Sequence, residues 1–148
     1  MFRGNSPLSL DSKGRLSIPV KYRKRLFDQG NGRLVITIDF DRCLLVYPLP
    51  VWEAVEERLM QLSSVNPRAK ALKRLLIGSA EDCELDAQGR VLIPATQRVF
   101  AGLTKRVVLV GQGQRFELWD EQTWQNLQAE LLEKNYGELS AELESIVY

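Results

Sequence analysis

Two segments of the sequence place an aspartate four residues before an arginine, with a glycine directly before the arginine. They are Asp11-Ser12-Lys13-Gly14-Arg15 and Asp86-Ala87-Gln88-Gly89-Arg90. An arginine can donate two hydrogen bonds to the O6 and N7 atoms of guanine, and a lysine can bind a phosphate group. The same spacing also fits a surface ion pair, which contributes only about 0–1 kcal/mol to stability. The two interpretations are compatible, since the aspartate can orient the turn while the arginine contacts a nucleic acid.

These segments lie inside a longer internal repeat. Residues 10–19 and 85–94 share the sequence Leu-Asp-x-x-Gly-Arg-apolar-x-Ile-Pro at an offset of 75 residues. Residues 44–52 and 116–124 correspond at an offset of 72 residues, as a shorter loop in the second copy would produce. Self-similarity of this kind indicates repeated structural units. The sequence therefore predicts two modules with a common ancestor.

Each repeat unit is predicted to contain a tight turn, a short helix, two strands and a longer helix. Aspartate at the start of a turn can accept hydrogen bonds from its own backbone, and glycine supplies the left-handed conformation that closes a short hairpin loop. Residues 11–14 and 86–89 should therefore form hairpin tips, and Pro19 and Pro94 should open the helices that follow. The predicted short helices are 19–27 and 94–100, stopping at Gly30 and Gly102, and the predicted strands are 34–38, 43–47, 106–110 and 115–119.

Further helices are predicted between and after these units. Asn66 and Pro67 have the residue types of an N-cap and a first helical residue, in a helix that links the two copies. A tryptophan opens the apolar face of the helix that follows each copy, at Trp52 and Trp124. Together with Trp119, these residues are expected in the core or at a subunit interface, because nothing places them on a base-stacking platform.

Charge is unevenly distributed along the chain. The 148 residues carry a net charge of +1, with 20 Lys and Arg against 19 Asp and Glu. Residues 1–75 hold 14 basic and 7 acidic side chains, whereas residues 76–148 hold 6 and 12. A chain polarised in this way can offer phosphate a basic face while remaining near neutral overall. The densest basic cluster, Lys21-Tyr22-Arg23-Lys24-Arg25, fits either phosphate binding or a solvated helix face with Val20, Leu26 and Phe27 turned inward.

Composition argues against an enzyme, a secreted protein and a membrane protein. The sequence contains no histidine, which removes the usual general base at neutral pH and the commonest zinc ligand. Cys43 and Cys83 stand far apart, and we expect two reduced thiols. No apolar run reaches the roughly 18 residues of a membrane helix, and the N-terminus does not resemble a signal peptide. We therefore expect a cytoplasmic protein with no metal, no cofactor, no small-molecule substrate and no membrane partner.

Segments spread over essentially the whole chain resemble the MraZ family. They are Phe2-x-Gly4, Asp11-Ser12-Lys13-Gly14-Arg15, Ile18-Pro19, Asp86-x-x-Gly89-Arg90, Gly111 and Phe116-Glu117-Leu118-Trp119-Asp120. The resemblance implies a β-rich α+β fold of two tandem swapped-hairpin, AbrB-like β-barrel modules. These form a pseudo-two-fold repeat with linking and C-terminal helices. On this basis we expect SpoVT-AbrB-like domains at residues 5–52 and 80–124, linking helices at 53–79 and a helical tail at 125–148.

The resemblance also implies a function. MraZ proteins assemble into ring-shaped oligomers and bind short direct repeats in the promoter of the bacterial division and cell-wall gene cluster, which includes their own gene. The resemblance therefore implies a sequence-specific transcriptional regulator that binds double-stranded DNA, acts as a repressor and is associated with the nucleoid. It further implies a ring-shaped homo-oligomer of octamer-like size.

The resemblance links both Asp-x-x-x-Arg segments to DNA binding. The expected DNA-binding residues are Lys13, Arg15, Gln88 and Arg90 in the turns, and Arg3, Lys21, Arg23 and Lys24 outside them. The residues expected to support the turns are Asp11, Gly14, Asp86 and Gly89. Because Gln88 stands where the first copy has Lys13, the second turn should attract phosphate less strongly, although a glutamine can also read a base edge.

Two alternatives stay open at the level of the sequence. One is a protein-interaction role like that of an antitoxin, since some AbrB-like proteins act in that way. Those proteins typically have a single module followed by a disordered tail, whereas this chain has two modules. The other is an enzyme, although the chain lacks a P-loop and a Gly-x-Gly-x-x-Gly segment.

Overall fold

The computed structural model describes residues 1–134 and 136–146, which form an α+β fold. The helices of this part are α1 (Val20–Gly30), α2 (Leu49–Met60), α3 (Pro67–Leu76), α4 (Ala95–Phe100), α5 (Glu121–Lys134) and α6 (Tyr136–Ile146). Its strands are β1 (Asn5–Ser9), β2 (Arg15–Ser17), β3 (Arg33–Ile38), β4 (Leu44–Pro48), β5 (Glu81–Glu84), β6 (Arg90–Leu92), β7 (Arg106–Gly111) and β8 (Phe116–Asp120). Asn135, Val147 and Tyr148 of the predicted tail lie outside the described residues. Within that described part, no helix is long and apolar enough to cross a membrane.

Strands are exchanged between the two sequence repeats. Six of them form one antiparallel sheet in the order β1-β7-β8-β4-β3-β5, and β2 pairs with β6 in a separate two-stranded ribbon. The first strand of each copy therefore lies on the third strand of the other copy, β1 on β7 and β5 on β3. The β4–β8 pair is centred on Leu45 opposite Glu117, and the ribbon on Leu16 opposite Val91. The pairing is symmetrical about these residues, which confirms the expected repeated α+β fold with swapped hairpins.

One face of the sheet packs against the ribbon and α1. Alternate residues of each strand point to this face, because successive side chains lie on opposite sides of a strand. Phe116 of β8 is fully buried here, with its ring centroid 4.3 Å from that of Phe2 and 4.9 Å from that of Tyr22. The ribbon contributes Leu16 and Val91 to the same cluster. Apolar packing thus holds the ribbon on the sheet.

The opposite face of the sheet carries the tryptophans and the helices α2 and α5. Trp52 and Trp119 are each 3% exposed and pack with Val35 and Tyr47. Trp124 is half-buried, and its ring centroid lies 5.9 Å from that of Trp119. All three tryptophans therefore belong to the core or pack against it, as the sequence predicts.

Helix ends follow from local chemistry. The side chain of Asn66 accepts hydrogen bonds from the backbone N–H groups of Arg68 at 2.9 Å and Ala69 at 3.2 Å, so α3 begins where the sequence predicts. Helix α1 ends at Gly30, where the sequence predicts, and the next residue, Asn31, adopts the left-handed conformation with a φ of 56°. Asparagine enters this region more readily than most residues, since its short polar side chain can hydrogen-bond locally.

Phe116→Ala should lower the free energy of unfolding by about 3–5 kcal/mol, because it removes a fully buried ring and leaves a cavity beside Phe2 and Tyr22. Urea unfolding followed by circular dichroism measures the change. Gln128→Ala, at an exposed position of α5, should alter the free energy of unfolding by no more than about 0.5 kcal/mol. Similar values for the two variants would contradict this packing.

Candidate nucleic-acid interface

The first Asp-x-x-x-Arg segment forms a turn that its own aspartate holds together. Asp11 Oδ1 accepts hydrogen bonds from the backbone N–H groups of Lys13 and Arg15, each at 2.9 Å. The N–H of Gly14 donates to the Asp11 carbonyl at 3.0 Å, and Gly14 has a φ of +85°. Glycine enters this left-handed region without steric cost. Aspartate and glycine are therefore the residue types that this turn requires.

The second segment repeats this geometry. Asp86 Oδ1 accepts hydrogen bonds from the N–H groups of Gln88 and Arg90, again at 2.9 Å, and Gly89 has a φ of +77°. The two turns have the same geometry because both copies contain the aspartate that accepts the N–H hydrogen bonds and the glycine that adopts a positive φ. The residue directly before each glycine, Lys13 or Gln88, contributes its N–H to the turn and exposes its side chain. The two tips can therefore differ in chemistry without differing in shape.

Each turn also contains an ion pair. Arg15 Nε lies 2.7 Å from Asp11 Oδ2, and Arg90 Nε lies 2.9 Å from Asp86 Oδ2. The two arginine side chains stay 31% and 32% exposed, and their Nη groups make no hydrogen bond within residues 1–134 and 136–146. The surface ion pair considered from the sequence is therefore present. It orients each guanidinium and leaves the Nη groups available to a partner.

The hydrogen bonds of the turns lower the pKa values of the aspartates. For Asp11 the N–H of Arg15 has the largest effect, with the Arg15 guanidinium and the Lys13 N–H adding to it and desolvation partly opposing it. The pKa of Asp11 falls from 3.8 to about 2. The pKa of Asp86 is lowered in the same way, first by the N–H of Arg90 and then by its guanidinium. Both groups are thus ionised when they hold the turns at neutral pH.

Both arginines lie on one face of the β2–β6 ribbon. Leu16 and Val91 are paired and each 1% exposed, so they define the inward face. Because side chains alternate along a strand, Arg15 and Arg90 project from the outward face. Arg15 lies opposite Leu92, two residues beyond Arg90. The two arginines therefore occupy diagonal positions, which are typically about 7–8 Å apart in a pair of strands.

This outward face is not symmetrical. Ser17 and Leu92 occupy equivalent positions of the two copies and both are exposed, Leu92 by 54%. Arg15 consequently has an apolar cross-strand neighbour, whereas Arg90 has a hydroxyl group. The two halves of one ribbon thus offer a ligand different chemistry beside similar arginines.

The basic residues of α1 lie in two environments. Lys21 and Lys24 are exposed, and Lys24 Nζ forms an exposed ion pair with Asp28 Oδ2 at 2.5 Å. Arg3 is also exposed. It lies beside these lysines because its carbonyl accepts a hydrogen bond from the Tyr22 hydroxyl at 2.5 Å. The structure therefore brings three of the residues that are expected to bind DNA to one side of α1.

The buried face of α1 agrees with the prediction at Leu26 and differs from it at Val20 and Phe27. Val20 is 73% exposed and Phe27 is also exposed, whereas Tyr22 and Leu26 are buried. Tyr22 packs edge-on against the ring of Phe2, at a centroid distance of 5.7 Å. Because Phe2 comes from the N-terminal segment, the periodicity of the helix alone contains no sign of this contact.

Arg23 lies apart from the other basic residues of α1, and Arg98 occupies the matching place in the second copy. Arg23 Nε donates a hydrogen bond to the Ile18 carbonyl at 2.8 Å, and Arg98 Nε donates to the Ile93 carbonyl at 3.0 Å. Both arginines are half-buried. Arg98 is missing from the predicted site, although the shared sequence Ile-Pro-x-x-x-Arg marks it in both copies.

One family model accounts for both halves of the chain. The model, described as "MraZ protein, putative antitoxin-like", matches residues 1–75 and again residues 76–144. The chain belongs to the MraZ family. The two matched ranges meet inside α3, the helix that links the copies, so the MraZ unit coincides with the sequence repeat.

Other MraZ proteins are similar over most or all of their length. A protein from Thioalkalivibrio sulfidiphilus is 53% identical over 99% of both chains, and one from Halorhodospira halophila is 51% identical over 99% of both chains. A protein from Nitrosospira multiformis is 55% identical over 88% of both chains. Each of the three is named "Transcriptional regulator MraZ".

The Asp11 turn of this MraZ chain should persist into strongly acidic solution. Because the pKa is about 2 in the fold and 3.8 ordinarily, the stabilisation is fully present above 3.8 and is lost as the pH falls towards 2. The chemical shifts of the Lys13 and Arg15 amide protons measure the midpoint, which should lie near 2. Asp11→Asn should abolish this titration. A midpoint at 3.8 would show that the carboxylate is not hydrogen-bonded.

Gly14→Ala should destabilise this MraZ chain more than Gly102→Ala, although both glycines have a positive φ. An added Cβ at Gly102 meets nothing within 4 Å, so it costs only backbone strain of about 1–2 kcal/mol. At Gly14 the Cβ would lie 2.5 Å from Arg98 Cζ and would also displace the guanidinium. Urea unfolding measures the difference, which should disappear in an Arg98→Ala background. Equal costs in the native background would refute the close packing.

Proposed function

We propose that this chain is a transcriptional regulator that binds double-stranded DNA with sequence specificity through the outward face of the β2–β6 ribbon. The observation that carries the proposal is the placement of Arg15 and Arg90 on that one face, each oriented by an aspartate. A two-stranded ribbon can enter the major groove of B-DNA. The names of the relatives support a regulator and not an enzyme.

Base recognition is assigned to the ribbon and its turns. Since Nε of each arginine is held by its aspartate, the two Nη atoms are presented to the O6 and N7 atoms of guanine. The typical diagonal separation of about 7–8 Å corresponds to roughly two base-pair steps of about 3.4 Å. Lys13 at the first tip contacts phosphate, and Gln88 at the second contacts a base edge.

Phosphate binding is assigned to Arg3, Lys21 and Lys24, which lie on one side of α1. These side chains are exposed, and residues 1–75 carry the excess positive charge of the chain. Lys24 exchanges Asp28 for phosphate at little cost, because an exposed ion pair contributes little. Each neutralised phosphate releases counterions, so the affinity should fall steeply with salt.

The proposed functional unit is a ring-shaped homo-oligomer of octamer-like size. One chain presents one ribbon and few base contacts, so its own affinity is modest. Several ribbons that bind evenly spaced direct repeats can raise the avidity by about 10²–10⁴. The repeats are proposed to lie in the promoter of the division and cell-wall gene cluster, which contains the gene for this chain. There, in the nucleoid of the cytoplasm, the bound ring represses transcription by blocking polymerase.

Binding to a duplex from the promoter upstream of the chain's own gene tests this proposal by fluorescence anisotropy. Arg15→Ala and Arg90→Ala should each weaken binding by about 1–3 kcal/mol, which is roughly 5- to 150-fold. Lys13→Ala should weaken binding to promoter and scrambled duplexes equally and reduce the slope against salt. Arg58→Ala removes a positive charge from α2, on the opposite face of the sheet, and should leave specificity unchanged.

Light scattering on each variant shows whether the oligomer persists, so that a lost contact is not confused with lost assembly. Equal binding of the native protein to promoter and scrambled duplexes would sink the proposal, as would intact specificity without either arginine. The antitoxin-like description of the family would then favour a protein partner.

A further inference from the structure

The turns at residues 11–15 and 86–90 are called the recognition turns below. Each recognition turn is covered by an arginine of the other repeat. A Cβ built on Gly14 would lie 2.5 Å from Arg98 Cζ, so this guanidinium lies directly on the glycine. Arg23 covers Gly89 in the same way, with Cζ only 2.8 Å from a Cβ built there. The arginine of the second copy thus covers the turn of the first, and the reverse holds for the other pair.

The residue just after each ribbon strand ties the glycine of the other repeat's turn to the arginine that covers that glycine. The N–H of Ile93 donates to the Gly14 carbonyl at 3.0 Å, and the Ile93 carbonyl accepts a hydrogen bond from Arg98 Nε at 3.0 Å. The equivalent distances around Ile18 are 2.9 and 2.8 Å. One isoleucine of the opposite repeat therefore bonds both the recognition turn and the arginine that covers it.

Arginine suits this position for two reasons. Its guanidinium is planar and carries an Nε–H, so Nε can donate to a carbonyl while the group lies over the glycine. A lysine would keep the charge but has neither the Nε–H donor nor the flat face. The glycine is needed as well, because a Cβ would occupy the space of the guanidinium. This pairing accounts for the Ile-Pro-x-x-x-Arg sequence in both copies.

We propose that Arg23 and Arg98 are positioning residues for DNA recognition that act across the repeat. Arg98 positions the turn that carries Arg15, and Arg23 positions the turn that carries Arg90. The inference rests on the proposed function and gives Arg23 this role in place of a phosphate contact. Without Arg98 the turn of Asp11 becomes less ordered and Arg15 is no longer held in its orientation, whereas the other turn keeps its shape.

A double-mutant cycle with Arg98→Lys tests the inference, because lysine retains the positive charge. The single variant should bind the promoter duplex at least about fivefold more weakly, because the turn that carries Arg15 is no longer held in place. Added to Arg15→Ala, it should cause at most about a twofold further loss, because the arginine that it positions is already absent. When Arg98→Lys is combined with Arg90→Ala, the fold-losses of affinity of the two single variants should multiply.

Arg23→Lys provides the matched control with the opposite expectation. It should lose its effect in the Arg90→Ala background and keep it in the Arg15→Ala background. If the lysine substitutions only weakened the whole fold, the fold-losses of affinity would multiply in all four double variants. A loss of effect in one arginine background and not in the other therefore separates positioning from general destabilisation.

Amide hydrogen exchange without DNA gives a measurement that is independent of the proposed function. In Arg98→Lys the N–H groups of Lys13 and Arg15 should exchange at least about tenfold faster, because the turn opens locally. The N–H groups of Gln88 and Arg90 should keep their native rates. Faster exchange in both turns or in neither would overturn the inference.

The outcomes distinguish the two proposals. If Arg15→Ala and Arg90→Ala bind the promoter duplex normally, the proposed function fails, and a crossed exchange result would show that the turns are still positioned across the repeat. If those two variants lose specificity but Arg98→Lys multiplies with both, only the inference fails.

Discussion

The exchange of strands between the two repeats is the constraint on which the rest of the structure depends. β1 and β5 each find their antiparallel partner in the other copy, so neither copy completes its part of the sheet alone. The exchange also places β2 beside β6, with the two turns at opposite ends of one ribbon. Because a shift by one residue would reverse the face of every side chain, the buried pair of Leu16 and Val91 also directs Arg15 and Arg90 outward.

The local structure could be predicted from the sequence because neighbouring residues determine it. The turns need an aspartate and a glycine three residues apart, and α3 begins at Asn66 and Pro67 through an N-cap. The partner of each strand is not contained in such patterns. The alternation that suits β1 beside β7 would equally suit a hairpin of β1 and β2 within one copy. The resemblance to MraZ proteins, and not periodicity, predicts the exchange.

The candidate site likewise contains residues whose role the local sequence predicts and residues whose role depends on the strand exchange. Arg23 belongs to a run of basic residues, which the sequence presents as one cluster with Lys21 and Lys24. A helix has 3.6 residues per turn, so neighbouring side chains point in different directions. Arg23 reaches the Ile18 carbonyl, while the two lysines stay in solvent. Arg98 has no such basic neighbours, and only its correspondence with Arg23 indicates a role. The glycine that each covers depends on the strand exchange.

Exposed side chains break the symmetry of the backbone, and this asymmetry bears on the kind of operator that the chain would read. Where the first copy has Lys21 and Lys24, the second has Thr96 and Val99. A ribbon with identical halves would suit an inverted repeat, because the two-fold axis of the protein would match that of the DNA. A ribbon with one strongly basic side has a direction, since phosphate attracts that side more strongly. Under the proposed function, chains that bind successive sites in the same orientation would favour direct repeats, even though the two turns of each chain have nearly identical geometry.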